Sequence, residues 1–213
     1  TGVQTCALPI YCGILKSFRD WAYGRGETIR ATTSFLLADS TTPDGDYIKP
    51  QDNPTKTDCW NGKAYTPTSQ LTPGRTKYGT NNNIRVLRYA DVLLMYAECE
   101  NQLSNDVEAR NALNLVRERV KLPDVTSSGK DLRDAIRLER RLELALEDNR
   151  LYDLRRWKDD NGKPAIDNIM GPNGSFVVYN MKESTDPYET TNSGENSNKG
   201  YTFEDGRDEL FPI

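Results

Sequence analysis

The sequence predicts a mainly α fold with long irregular loops and a few short strands. Two observations carry that expectation. Three amphipathic segments follow one another between residues 85 and 147, each with apolar residues at helical spacing. On either side, residues 39–83 and 158–206 are dense in Gly, Pro, Asn, Asp, Ser and Thr, which are turn formers.

Before the helices, residues 29–37 are rich in Thr, Ile and Phe and read as a strand. Residues 39–83 follow with TTPDGD, KPQDNPTK, TPTSQLTPG and GTNNN, turn signals at short intervals with Tyr47, Trp60, Tyr65 and Tyr78 among them. The first helix is expected over 85–103. Val86, Leu87, Ala90, Leu93, Leu94 and Ala97 fall on one stripe of a 3.6-residue period. The second is expected over 106–121, from Ala109, Ala112, Leu113, Val116 and Val120. Asn105 and Glu108 stand at capping-box spacing before it, and Pro123 should stop it. The third, over 131–147, carries Leu132, Ala135, Ile136, Leu142, Ala145 and Leu146. So short a link around Ser104 makes the first two helices antiparallel neighbours. Small residues at Ala90, Ala97, Ala109 and Ala112 let their axes approach, as in a tetratricopeptide-like hairpin, with the third helix packed on it. Downstream, residues 175–179 (SFVVY) have strand composition, and residues 182–200 have that of a mobile loop.

Composition excludes several functions. The net charge is -4, without the clustered basic face that nucleic acid requires. No apolar run is long enough for a membrane helix. The chain has no histidine, which removes His-based acid–base work, Ser- or Cys-His triads and His metal sites. No Cys pair has zinc spacing, and no Gly-rich phosphate loop follows a strand. Neither a metal nor a cofactor is expected. Asp44/Asp46 and Asp159/Asp160 could serve a glycosidase only if held across a cleft, and in turn-rich segments such pairs are solvated turn residues.

Three blocks support a resemblance. They are RYADVLLMYAE at 88–98, NLVRERVKLP at 114–123 and LERRLELALEDNRLYDLRRW at 138–157. Their order, spacing and wording resemble the carboxy-terminal part of the SusD/RagB family, and LTPGRTKYGTNNN upstream is similar too. The match is good over roughly residues 71–157, looser around IRATTSFLLAD and present again at the terminal LFPI. Asp148-Asn149 stands where the family usually has Gly, and Cys99 where a small residue is common. Asp and Asn tolerate the left-handed turn such a position needs.

The resemblance implies a non-catalytic nutrient-binding protein, above all for glycans, exposed at the cell outer membrane in Bacteroidota. It also implies a SusC-like TonB-dependent transporter as partner in polysaccharide uptake, and attachment by a lipid anchor. The alternative is a helical-hairpin scaffold that docks the transporter and has no ligand site of its own in this portion. Exposure of Trp21 and Trp60 on one face would separate the two. The family's length marks this chain as a fragment. Residues 1–10 read as a non-native leader, 11–84 as a loop-rich segment, 85–157 as the helical core and 158–213 as a loop-rich end.

Four residues of the charged block, Glu139, Arg141, Arg150 and Asp153, are expected to form ion pairs and caps within the core. Most arginines of the block have an acid three or four positions away, as in Arg140/Glu143 and Glu147/Arg150. Tyr152 and Trp157 are expected as core anchors. Ligand contact is expected instead from aromatics among Gly and polar residues, where binding loops concentrate. Trp21, Tyr23 and Trp60 are the stacking candidates, with Arg25 and Asn61 as polar partners. A Cys12–Cys59 disulfide is open in an oxidising compartment, and Cys99 reads as a small hydrophobe on its helix.

Overall fold

The computed structural model describes Ile14 and residues 16–50, 58–71 and 86–170. The proposed leader, Cys12, residues 175–179 and the terminal LFPI lie outside them. The order is α1 (Lys16–Tyr23), α2 (Thr28–Ser34), β1 (Phe35–Leu37), β2 (Ser40–Thr41), β3 (Tyr47–Ile48), β4 (Cys59–Asn61), α3 (Tyr89–Gln102), α4 (Asp106–Arg119), α5 (Gly129–Glu143), α6 (Arg150–Arg156) and α7 (Asp167–Met170). The mainly helical class and the three packed helices stand as the sequence predicts.

The hairpin of α3 and α4 closes over Leu94, Ala97, Ala109, Ala112, Leu113 and Val116, and α5 adds Leu132 and Ile136. Alanines at the crossing bring the helices close, and the leucines fill the remaining space. Both hairpin helices end in the same way. Ser104 takes φ 62°, with Asn105 N–H donating to Glu100 O and Ser104 N–H to Asn101 O. Lys121 takes φ 57°, with Leu122 N–H donating to Arg117 O and Lys121 N–H to Glu118 O. These are Schellman turns with non-glycine residues in the left-handed position.

Several local expectations are corrected. The first helix begins at Tyr89, so Val86, 91% exposed, and Leu87 lie outside its stripe. Asn105 does not cap α4 with its side chain but donates to Glu100 Oε2 instead, so the capping box is not made. The Schellman turn at Lys121, two residues before Pro123, ends α4. The third helix stops at Glu143, and residues 144–148 turn before the separate α6. Leu146 and Asp148 both have positive φ there, at 67° and 61°. Asp148 supplies the left-handed turn expected of it; Leu146 has no such ease, and Asn61 Nδ2 donates to its carbonyl.

Residues 29–37 are not one strand. Residues 28–34 form α2, whose buried Arg30, Ala31 and Ser34 share a helical face, and only Phe35–Leu37 is extended. Thr32 and Thr33 tolerate the helix by donating back to Ile29 O and Arg30 O. β1 pairs antiparallel with β4, Leu36 opposite Trp60, and β2 with β3. Directly after β4, Gly62 abuts α2: a Cβ there would lie 2.4 Å from Thr33 O, so this close approach requires glycine.

A second core joins these amino-terminal elements to the far half of α5. It contains Ile14, Ala22, Ala31, Phe35, Cys59 and Leu142, with Phe18, Trp21, Tyr23, Leu138 and Leu146 against it. Helix α5 therefore lies between two apolar clusters, one met by its first half and the other by its second. Cys59 is fully buried, and burial pushes the pKa of its thiol up to about 12. Cys99 is exposed, against the expectation of an apolar role. In native protein, iodoacetamide should label Cys99 and spare Cys59, as read by peptide mass spectrometry. Because the folded pKa lies above the ordinary thiol value near 9, this thiol stabilises the fold fully below pH 9 and loses that contribution as the pH rises towards 12. Melts of wild type and Cys59→Ala should therefore differ less at pH 10.5 than at pH 8. A native Cys59 as reactive as Cys99 would contradict the burial.

Candidate functional site

Two groups of polar side chains meet along α5. The first is an enclosed ionic lattice. Arg30 is 5% exposed and donates to both oxygens of Glu27, to Glu139 and, by charge contact without hydrogen-bond alignment, lies beside Glu143 Oε2 at 2.8 Å. Arg117 reaches the other oxygen of Glu139 at 2.7 Å. Arg119 grips Glu143 with one nitrogen on both oxygens, at 2.6 and 2.7 Å, and Arg88 adds a bond to the same carboxylate. Arg88 and Lys63 also donate to Glu147 and to the free carbonyl of Glu143 at the end of α5. Burial pushes the Glu147 carboxyl up, but those two cations outweigh it and hold it below its usual pKa.

On the other side, Arg140 donates to Asp91 Oδ1 at 2.9 Å and to Asp153 at 3.1 Å. Arg156 shares Asp153 and forks onto Glu98, which also accepts from Trp157 Nε1. Burial pushes Glu98 up, but its bonds from Arg156 and Trp157 leave its pKa lowered. Helices α3, α4, α5 and α6 and the segment before α2 are thus tied by charges far apart in sequence. Glu139 and Glu143 are 0% and 2% exposed and held by arginines on every side, so they do not face each other across an open cleft as a glycosidase dyad would. Asp46 is tied up by Tyr65 and the Thr68 N–H, and Asp160 by Lys130 and Arg133.

The second group is at the surface. Trp21 stacks on Phe18, with centroids 5.8 Å apart and planes at 26°. Arg25 lies 4.6 Å and Arg141 4.4 Å from the Trp21 ring centre. Tyr23 leans on Phe35 at 6.0 Å. Trp21 and Tyr23 are half-buried, while Arg25 and Arg141 are exposed. An adjacent recess, lined by Phe18, Glu27, Arg30, Phe35 and Leu142, has a cavity volume of only about 10 Å³, far below the ~300–1,000 Å³ of a typical ligand pocket. It is too small to enclose a sugar ring.

The expected site residues separate into two groups. Trp21 and Tyr23 are on helix α1 and Arg25 in the turn after it, rather than in a loop. Trp60 and Asn61 are in β4, 5% and 3% exposed, so the Trp60 ring has no free face for a sugar. Asn61 instead caps the turn at Lys63 and holds Leu146 O. Trp21 and Trp60 therefore do not share an exposed face. Glu139 and Asp153 are buried and paired, but Arg141 and Arg150 are not paired with acids among the described residues: Arg141 packs on Trp21, and Arg150 lies 5.7 Å from the Trp157 ring. Trp157 is buried, whereas Tyr152 is 55% exposed and is no core anchor. The sequence reading missed Phe18, whose spacing three before Trp21 was its one signal, and Arg30 and Arg88, whose partners lie 109 and 55 residues away.

Among the described residues no helix is long and apolar enough to cross a membrane, and no group of three or more Cys, Asp or Glu is placed to hold a metal ion. Comparison with known proteins matches residues 11–213 to the model of the SusD family. SusD-like protein P25 of Formosa agariphila is 43% identical over 86 residues, covering 38% of this chain and 16% of the relative. SusD-like protein P38 of the same organism is 44% identical over 102 residues, covering 43% and 19%. A crystal structure of a SusD homolog from Bacteroides thetaiotaomicron superposes with a TM-score of 0.51 at 30% identity, over 65% of this chain and 31% of that one. The chain thus spans under a fifth of the length of these two curated relatives.

Proposed function

Because the chain belongs to the SusD family, we propose that it binds glycan at the outer-membrane surface without cleaving it, and acts beside a TonB-dependent transporter in polysaccharide uptake. The family match over residues 11–213 carries this reading. The surface geometry supports it. Trp21 presents part of an aromatic face at the protein surface, Tyr23 is close by, and Arg25 supplies hydrogen-bond donors for hydroxyl groups. The arginine-bound carboxylates of α5 favour binding over hydrolysis, since Glu139 and Glu143 are buried and have no face open to a substrate.

The 213-residue chain run through native gels containing single polysaccharides should be slowed by at least one of them, with no reducing ends released on long incubation. Reducing-end release that disappears when one Asp or Glu is replaced would show an enzyme instead.

A second reading is a protein scaffold that docks the transporter. The observation in its favour is an apolar row on α3, where Tyr89, Val92, Tyr96 and Leu103 are all more than 40% exposed. Row and aromatic surface belong to different helices, so Tyr96→Asp should leave glycan retention unchanged while weakening co-purification with the transporter.

A further inference from the structure

Eight arginines among the described residues are neutralised: Arg19, Arg30, Arg88, Arg117, Arg119, Arg133, Arg140 and Arg156 each have a carboxylate within 3.1 Å. Arg110 and Arg137 donate instead to oxygens of Ser127, Ser128 and Lys158. Arg25, Arg141 and Arg150 have neither kind of partner: among the described residues their direct contacts are aromatic rings. Two of them, Arg25 and Arg141, gather on the single ring of Trp21, from the turn after α1 and from α5.

Such a grouping is unfavourable by itself. A guanidinium on an indole is held only weakly at an exposed site, and a second like charge on the same ring repels the first. The cluster shows this strain. Burial and then Arg25 lower the pKa of Arg141, while burial and then Arg141 lower that of Arg150 to about 10. Asp153 offsets part of the charge at Arg150, but Asp153 is already bound by Arg140 and Arg156. The overall charge of the chain is -4, so two arginines on the Trp21 indole without a carboxylate, with a third only partly offset, are a local reversal of sign. An anion seated between them would remove the repulsion and use their planar N–H forks, which match carboxylate and sulfate oxygens.

We propose that Arg25 and Arg141 on the Trp21 ring, with Arg150 beside them, receive the carboxylate or sulfate group of an acidic glycan. The inference rests on the glycan-binding reading above and names its substrate class. The anionic group meets the guanidinium forks, and the sugar carrying it lies along the exposed edge of Trp21. Arg25 and Arg141 are reachable from solvent, whereas Arg150 is half-buried and reinforces the field from behind.

Native gels containing polygalacturonate, dextran sulfate or neutral dextran test this with the 213-residue chain. Retention is expected on one of the two acidic polymers, and which one separates carboxylate from sulfate recognition. Arg25→Gln is in an exposed turn and should leave the melting temperature unchanged while lowering affinity for that polymer about tenfold, the effect of one lost charge-assisted bond. Arg141→Lys should retain part of the affinity and Arg141→Gln should not. Retention on the neutral polymer alone would overturn the inference and leave the glycan-binding reading standing. Retention on none would overturn both. Acidic retention unchanged in Arg25→Gln/Arg141→Gln overturns the assigned site. Capture by anionic phospholipid vesicles without acidic-polymer retention would also overturn it, in favour of a lipid surface.

Discussion

Arg140→Ala should unfold more easily than wild type by about 3–5 kcal/mol, the usual cost of removing one partner from a buried pair. Arg140 is 4% exposed and holds two buried carboxylates, Asp91 of α3 and Asp153 of α6, which are 8% and 3% exposed. Removing the guanidinium leaves two negative charges with less compensation in a site that water scarcely reaches. Arg156 still bonds Asp153, but no other cation bonds Asp91 among the described residues. The expected reading is a Tm lower by roughly 6–20 °C in a thermal melt. Arg133→Ala is the matched control on the same helix, because its partner Asp160 is exposed and such pairs are worth only about 0–1 kcal/mol. Equal melting of the two variants would mean that the Asp91 and Asp153 carboxylates relax into water, and that the lattice does not tie α3, α5 and α6 together.

Leu113→Ala should cost about 2–5 kcal/mol, measured by urea unfolding at equilibrium. Leu113 is fully buried where α4 meets α3 and α5, packed with Leu94, Val116, Leu132 and Ile136. The range depends on how far these neighbours close over the lost methyl groups. Leu115, two residues away and 53% exposed, gives the comparison: Leu115→Ala should stay near neutral. If the two variants unfold together, the helical register inferred for α4 is wrong by one face.

The two predictions differ in where their information resides. The importance of Leu113 was legible in the sequence, because Ala109, Ala112, Leu113 and Val116 repeat at helical spacing, and burial of that stripe decides where the hairpin packs. The charged block of α5 was legible only as charge. Its acids do pair, but Glu139 pairs with Arg30 and Arg117, and Asp153 with Arg140 across a chain break between two helices. Glu147 and Asp153, the acids that local spacing suggested for Arg150, are engaged by other residues, and Arg141 has no acid at helical spacing.

Sequence by itself determined the mainly α class, the hairpin, the third helix upon it and the family, since each rests on periodicity or on words within one continuous stretch. Tertiary structure alone decided the rest. It turned Thr-rich residues 28–34 into a helix, because Arg30 there must reach Glu139 and Glu143 inside the protein. It buried Trp60 and left Trp21 partly open, although both stand among Gly and polar residues in the sequence. The reason is physical. Periodicity records which side of an element is buried against its neighbours, but which partner a given charge or ring meets depends on contacts between residues up to 109 positions apart, and those form only when the elements have packed.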